Sequence, residues 1–357
     1  MKTLQKDLTT GNPGKIIFNF TLPIFIGNVF QQFYSMADTI IVGKFVGTKA
    51  LAAVGSTGTI MFLINGFILG MTAGFTVLTA QKFGAGDMKS MRKTVVGAGV
   101  LSFIVGALLT VLFMVFMKPL LTLMNTPSDI FADAYAYIMI VSGGILAQML
   151  YNLLSSILRA LGNSKLPLYF LIISAVLNVF GDLFFVVVLK AGSNGCAVAT
   201  VVSEALCCVF CMIYIKFKVP ILCLGKKWLV FDRSLLKKTI SYGWASAMQQ
   251  ATVQLGKIGI QAIINTMGVS VSAAFAVVNR IDDYAYTPEQ NIAHGMTAMM
   301  AQNKGAGRDD RVIKGFKAGI ILEIIYGIFI FFVCFVFAGP LMKLFTSDTE
   351  VIRHGVI

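Results

Sequence analysis

The sequence has few charged residues and almost no histidine. Asp, Glu, Lys and Arg make up 13% of its 357 residues, about half of their share in an ordinary soluble domain. Histidine occurs only at His294 and His354, which argues against a histidine-based metal site. Apolar residues reach 57% and the mean hydropathy is +0.82, values that exclude a soluble monomer of this size.

Sequence motifs for enzymatic chemistry are also missing. No nucleophile motif, zinc motif, dinucleotide fingerprint or phosphate loop occurs, so we predict neither an enzyme nor a bound cofactor. Cys208 and Cys211 spell CxxC, but no second pair or histidine stands near them. We expect all six cysteines to be small, buried and chemically inert: Cys196, Cys207, Cys208, Cys211, Cys223 and Cys334.

Long apolar segments dominate the chain instead. Each has about 23 residues or more, which spans about 30 Å of hydrocarbon as a helix. No segment alternates as a barrel strand would. The sequence therefore predicts an all-α polytopic membrane protein with nine full transmembrane helices, at about 16–43, 50–80, 94–117, 130–158, 165–189, 195–217, 239–265, 271–300 and 315–338.

The net charge of +13 gives the orientation of these segments. Of 29 Lys and Arg, 21 lie in the N-terminal tail and in alternate loops, and five lie in the opposite loops. Positive loops face the cytoplasm. We therefore predict a cytoplasmic N-terminus and no nucleic-acid partner; the positive loops are 81–93, 159–165, 216–238 and 304–317.

An internal repeat appears without gaps at one fixed offset along the chain. Ala80, Gln81 and Gly84 recur as Ala301, Gln302 and Gly305, and further matches follow at the same offset. One repeat holds six segments, which predicts two parallel six-helix bundles. We assign residues 1–221 to the first bundle and 222–357 to an incomplete second one, with three helices and the start of a fourth. The expected parent is a twelve-helix protein of about 440 residues.

Two carboxylates within the predicted spans are the leading functional candidates. Asp38 and Asp182 lie at one depth, about 9 and 12 Å below the outer ends of their helices by the helical rise. Tyr137, Asn178 and Thr200 fall at a similar depth. Desolvated together, the two carboxylates could take up and release a proton or a sodium ion. A structural hydrogen-bond network between helices is the alternative.

Other intramembrane polar residues carry weaker hypotheses. Pro23 interrupts the first helix and allows either a functional bend or a static kink. Glu204 could line a cavity or bond a neighbour. Salt bridges among Lys257 of the seventh segment and Arg280, Asp282, Asp283 and Glu289 of the eighth are favoured, for example Arg280–Asp283 at i,i+3. Three further candidates for cavity lining lie on the seventh segment: Gln249, Gln250 and Gln254.

These residues also carry a resemblance to a known family. The stretch from Gln31 to Gly43 (QQFYSMADTIIVG), the motif Leu51–Gly55 (LAAVG) and the motif Arg159–Asn163 (RALGN) form one set of matches. Ala80-Gln81 with Gly84-Ala85-Gly86, then Pro167, Asn178, Asp182, Gly195 and Ala199-Thr200 complete it. Together they resemble the multidrug and toxic compound extrusion (MATE) transporters, especially bacterial DinF-like, MepA-like and NorM-type members.

The resemblance implies a specific function. Such proteins export drugs or organic cations in exchange for H⁺ or Na⁺ through a cavity between two six-helix bundles. It implies Pro23 as the helix bend and a cation-coupling set of Asp38, Asp182, Asn178, Thr200, Tyr137 and, on the fourth helix, Asn152. Sodium, if used, would bind at Asp38 and Asp182. One branch of the family has a carboxylate on the seventh helix where this chain has glutamines.

We therefore expect a monomeric antiporter of the bacterial inner membrane that handles drug-like, amphipathic or cationic compounds. A lipid-linked oligosaccharide flippase of similar architecture is the first alternative, and it would require a more basic cavity. A non-transporting membrane scaffold or an inactive truncated remnant is the second.

Overall fold

The computed structural model describes residues 7–124, 126–222, 232–346 and 348–356, and it is helical throughout them. The first helices are α1 (Pro13–Ile41), α2 (Thr48–Gly84), α3 (Met88–Leu123), α4 (Ser128–Gly143), α5 (Ile145–Ala160) and α6 (Lys165–Asp182). They are followed by α7 (Gly192–Lys218), α8 (Arg233–Ile264), α9 (Val269–Gly305), α10 (Asp309–Lys343) and α11 (Thr349–Val356). One π-helical turn extends α1 over Val42–Val46 and another extends α6 over Leu183–Val188. The all-α prediction is confirmed.

Most of the predicted spans pass a test of whether a helix is long and apolar enough to cross a membrane. Six helices within the described ranges are long and apolar enough to cross a membrane, and a bent pair, α4 with α5, makes a possible seventh. The remaining two predicted segments are the long helices α8 and α9, which do not meet that test. Both carry several glutamine, lysine or aspartate side chains along their length.

The fourth predicted segment is two helices rather than one. α4 and α5 meet at an angle of 45° at the Gly143–Gly144 pair. A Cβ at Gly144 would lie 2.6 Å from a methyl carbon of Val201 on α7. Since glycine pairs permit sharp kinks, the break lets α7 pack closely against the bend.

Helix boundaries repeat at the offset seen in the sequence. When the offset that relates Ala80 to Ala301 is added to the residue numbers of α2, the result is the first and last residues of α9. Adding it to the first residues of α3 and α4 gives the first residues of α10 and α11. Gly47 and Gly268, which precede α2 and α9, have positive φ angles of 115° and 105°, a region that favours glycine. The division into two six-helix bundles stays a prediction.

Small residues bring α2 and α8 into close contact. A Cβ at Gly70 would lie 2.6 Å from the carbonyl oxygen of Ser246, and one at Gly74 would lie within contact distance of Tyr242 and Gly243. Glycines at four-residue spacing allow this kind of backbone approach between membrane helices. The α2–α8 contact joins the first and second halves of the chain.

The outward surface is apolar where a bilayer would cover it. The most apolar stretch of α10 has no buried residue at all, and its exposed phenylalanines are Phe316, Phe329, Phe331, Phe332, Phe335 and Phe337. Exposed apolar area of this extent marks a surface that lies in lipid. The chain is a multi-pass membrane protein.

The cysteines fit their predicted role where the structure describes them. Cys196, Cys207, Cys208 and Cys211 are free and buried, and Cys334 is free and partly buried. Cys223 lies outside the described residues.

Candidate functional site: a buried carboxylate pair beside a polar cavity

Asp38 and Asp182 meet inside the first half of the chain. Asp38 lies near the end of α1, and Asp182 is the last residue of α6, fully buried at 0% exposure. Their side chains approach within hydrogen-bonding reach, and the thiol of Cys196 contacts Asp182. Two ionised carboxylates only accept hydrogen bonds, so they repel each other unless a proton or a cation is bound between them.

Three other predicted residues surround this pair. The Asn178 side-chain nitrogen donates to the Thr200 hydroxyl oxygen at 3.2 Å, and Tyr137 lies beside both carboxylates. Within the described residues of this group, four buried oxygens have no hydrogen-bond donor: Asp38 Oδ1, both Asp182 oxygens and Asn178 Oδ1. Such oxygens can accept a proton or bind a hard cation. The structure brings together Asp38, Asp182, Asn178, Thr200 and Tyr137, which we name the carboxylate cluster.

A polar cavity of about 190 Å³ lies next to the carboxylate cluster. Its walls come from α1, α2, α5, α6 and α7 on one side and from α9 with Gln250 of α8 on the other. It therefore lies between the two halves of the chain.

The cavity and the carboxylate cluster are one helical turn apart on three helices. Tyr34, Ser174 and Glu204 line the cavity. Each stands four residues from a cluster member on the same helix, namely Asp38, Asn178 and Thr200. Residues at this spacing are neighbours on one helix face. The carboxylate cluster therefore adjoins the cavity wall on three helices.

Glu204 of the sixth predicted segment and Asn152 of the fourth both lie in the cavity wall. Glu204 both lines the cavity and accepts a hydrogen bond from Gln148 Nε2 at 3.4 Å, so both of its expected roles are present. Asn152 lies in the cavity wall, where it donates to the Gln148 carbonyl at 2.9 Å, and it does not join the carboxylate cluster.

One of the three glutamines of α8 lines the cavity. Gln250 does so, whereas Gln249 is exposed on the outer side of α8. Gln254 lies against α2, with its Cγ 3.7 Å from the position of a Cβ on Gly66. The cavity-lining roles of Gln249 and Gln254 stay predictions.

Pro23 lies in the cavity wall within an unbroken α1. Hydrogen bonds to α9 flank it on both sides. The Thr21 hydroxyl donates to the Asn291 carbonyl at 3.3 Å, and Asn28 Nδ2 donates to Asn291 Oδ1 at 3.0 Å. Pro23 is therefore at the place where α1 meets α9, and its role as a bend stays a prediction.

The expected salt bridges among the polar residues of the seventh and eighth segments are present, but they do not include the Arg280–Asp283 pair given as the example. Asp283 instead pairs with Lys257 of α8 at 2.6 Å, and Asp282 pairs with the same ammonium at 3.2 Å. Lys257 lies in the second half of α8 and faces α9, so it reaches both carboxylates across the helix pair. Arg280 is exposed.

Two cavity residues were not predicted from the sequence. Arg159 was assigned to a positively charged loop, but it lies in the last turn of α5 and lines the cavity with His294 of α9. A signal was present in the sequence, because Asn152, Ser155, Ser156 and Arg159 follow the i, i+3, i+4, i+7 pattern of one polar helix face.

A symmetric contact between α2 and α9 lies one helical turn from the cavity, because Gly84 and Gly305 stand four residues beyond Ala80 and Ala301 of the cavity wall. A Cβ on Gly84 would fall on the Gln302 carbonyl, and a Cβ on Gly305 would fall on the Gln81 carbonyl. Gln302 Nε2 also donates to the Ala160 carbonyl at 2.8 Å. We call this contact, formed by Gln81, Gly84, Gln302 and Gly305, the glycine contact.

A helical membrane protein with a polar cavity between its halves and a buried carboxylate pair beside it has the architecture of a transporter. The sequence model of the MatE family matches residues 23–184 and 245–356. The chain belongs to this family, which is a family of transporters.

The relatives point the same way. The probable multidrug resistance proteins YpnP and YoeA of Bacillus subtilis are 30% and 28% identical, over 98% and 99% of this chain and 78% and 79% of their own lengths. A protein of Shewanella oneidensis named FAD transporter is 24% identical over 95% of this chain and 76% of its own length.

Solved structures share the fold. A MATE family multidrug resistance transporter in an outward-facing conformation matches with a TM-score of 0.91 and 23% identity. A MOP superfamily transporter from Pyrococcus furiosus also matches with 0.91, at 22% identity. Each match covers all of this chain and 79% of the other.

Proposed function

We propose that the protein is a secondary active antiporter that exports drug-like amphipathic compounds, chiefly cations, in exchange for H⁺ or Na⁺. The names of the Bacillus relatives, both probable multidrug resistance proteins, support the substrate class. The single observation that carries the exchange mechanism is the buried Asp38–Asp182 pair, whose unpartnered oxygens lie one turn from the cavity.

The exchange follows from the cost of charge inside the membrane. A substrate cation in the cavity and an ion in the carboxylate cluster compete for the same negative charge, since only one helical turn separates them. Binding of H⁺ or Na⁺ at Asp38 and Asp182 neutralises the carboxylates and weakens the hold on the substrate. The membrane potential contributes about 2.3 kcal/mol per charge per 100 mV to this exchange.

The proposed setting is the cytoplasmic membrane of a bacterium. We place the N-terminus in the cytoplasm because the N-terminal tail and the loops on its side together carry 21 of the 29 Lys and Arg. The glycine contact then closes the cavity towards the cytoplasm. We further propose a monomer in which residues 1–221 form one six-helix bundle and residues 222–357 form part of a second, parallel one.

Efflux of a fluorescent cation tests this function. The chain is expressed in a host that lacks its own drug pumps, and ethidium efflux is compared for the unmutated protein, Asp38→Asn, Asp182→Asn and the matched control Asp133→Asn. Asp133 is exposed on α4 and touches neither the cavity nor the carboxylate cluster. We expect the first two variants to lose efflux and the control to keep it.

The coupling ion is measured separately, by collapsing the proton gradient and the sodium gradient one at a time. Loss of efflux in only one condition identifies the ion. Ethidium efflux that is unchanged in both Asn variants would contradict the assignment of Asp38 and Asp182, and absence of efflux from the unmutated protein would contradict the export of cations.

A further inference from the structure

Arg159 is a charged residue that the exchange mechanism does not use. It lines the cavity from the last turn of α5, and no carboxylate lies within 4 Å of it among the described residues. Its one hydrogen bond in the described part of the chain goes to the Ser156 hydroxyl at 3.3 Å. A guanidinium has five N–H donors, so most of its donors remain available to a ligand.

The groups around Arg159 are also donors. His294 of α9 faces it across the cavity, and the hydroxyl of Ser164 lines the same region. Small side chains leave room there, since Ala160, Ala298 and Ala301 form the rest of this wall. Hydroxyl, imidazole and guanidinium donors that converge on an open space are the chemistry that binds a carboxylate or a phosphate.

The cavity therefore has two electrostatically different ends. Glu204 is held by Gln148, which lies in the first turn of α5, whereas Arg159 lies in the last turn of that helix. By the helical rise this separates the two ends by about 16 Å. An ion pair between them is excluded by that distance, so each can bind an opposite charge of one ligand.

We propose that Arg159, with His294 and Ser156, forms an anion-binding subsite at the closed end of the cavity, which takes a carboxylate or phosphate group carried by an amphipathic substrate. The subsite rests on the proposed export function and extends its substrates from simple cations to zwitterions. Arg159 binds the oxyanion through paired N–H donors, and Glu204 lies towards the cationic part.

Two matched dyes test the subsite. Rhodamine 110 carries a free carboxylate, and rhodamine 123 is its methyl ester, so both share one cationic fluorophore and differ in one negative charge. Their binding to the purified full chain in phosphatidylcholine nanodiscs is measured by fluorescence polarisation, for the unmutated protein and for Arg159→Gln, Arg159→Lys and Glu204→Gln.

We expect Arg159→Gln to weaken rhodamine 110 binding about tenfold, because a charge-assisted hydrogen-bonded pair is lost. Binding of rhodamine 123 should change less than about twofold, since its ester carries no charge. Arg159→Lys should recover part of the loss, because the charge remains but the planar fork does not. Glu204→Gln should weaken both dyes, since both carry the cation.

A lipid phosphate is the other source of the same chemistry. If a headgroup occupies the subsite, adding phosphatidylglycerol to the nanodiscs weakens rhodamine 110 binding to the unmutated protein but not to Arg159→Gln. That result would overturn a substrate subsite in favour of a lipid one.

The remaining outcomes separate the subsite from the proposed function. If both dyes bind and Arg159→Gln affects them equally or not at all, the subsite is refuted while export stands. If neither dye binds to the unmutated protein, the proposed function fails for this substrate class, and the subsite fails with it.

Discussion

The glycine contact predicts that two methyl groups will open the closed end of the cavity. A Cβ on Gly84 would overlap the Gln302 carbonyl oxygen, and one on Gly305 would overlap the Gln81 carbonyl oxygen. Ordinary contacts begin near 3.4 Å, so alanine at either site forces α2 and α9 apart by roughly 1.5 Å. Both glycines are helical without a positive φ, so the only obstacle to alanine is this contact.

These overlaps determine the free-energy cost of the two alanine substitutions. Overpacking of a tight contact costs about 1–3 kcal/mol, and the two sites share one helix pair, so their costs do not simply add. A penalty of this size, applied only to the conformation closed at this end, shifts its population about 5- to 150-fold. Gly99→Ala is the matched control, because nothing lies within 4 Å of a Cβ there.

The assay measures access to the closed end. Ala301, buried at 6% exposure in the cavity wall, is replaced by cysteine in a chain whose native cysteines have been removed. Labelling by a membrane-impermeant maleimide is then followed in inside-out and right-side-out vesicles. Gly84→Ala with Gly305→Ala should raise the labelling rate from the side of the α2–α3 loop alone. A rate equal to that of Gly99→Ala would refute the reasoning.

Three further variants test other parts of the structure. Thr200→Val removes the acceptor for Asn178 Nδ2 and should reduce cation efflux several-fold, whereas Thr110→Val, which breaks only a bond within α3, should leave efflux unchanged. Gly243→Leu places a side chain where a Cβ already meets the Phe75 ring, so it should lower the thermal unfolding temperature and the yield of folded protein, while Gly259→Leu, at a site with open space, should not. Asp87→Ala removes an N-cap that accepts from the Ser90 N–H at 3.0 Å and should cost about 1 kcal/mol of stability. Because hydrogen bonds to Ser90 lower the Asp87 pKa, that stability is present above the ordinary carboxyl range and is lost as the pH falls below it, which thermal unfolding at pH 7 and pH 3 would show.

The fold was predictable because hydrophobic length and helix periodicity are local properties. The segments near 50–80 and 271–300 became α2 and α9, and the sequence offset between them reappears in their bounds. The bend between α4 and α5 was not predictable, since a glycine pair only permits a kink, and the close approach of Val201 to Gly144 comes from α7, far along the chain.

The carboxylate cluster was predictable because a carboxylate inside a membrane helix is too costly to persist without a partner or a function. Arg159 was harder to find, because a basic residue near a helix end normally marks the cytoplasmic surface. Only its place on the polar face of α5 distinguishes it from the surface lysines. Lys257 shows a related limit, since its partners Asp282 and Asp283 lie on another helix and sequence spacing favoured a pair within α9.

The two copies of the repeat share the residues of the glycine contact but differ at the residues assigned to the functional site. At the repeat offset, Gln81 and Gly84 recur as Gln302 and Gly305 and form the two halves of the glycine contact. The same offset carries other residues of the first half onto Trp244, Leu255 and Gly259, in place of Pro23, Tyr34 and Asp38. The contact between α2 and α9 needs residues of both helices, so it limits substitutions equally in both copies of the repeat. An ion site needs only one copy, and so the second is free to diverge. The carboxylate cluster, confined to one half, thus borders the cavity through three helices of that half, while the symmetric contact joins the two halves.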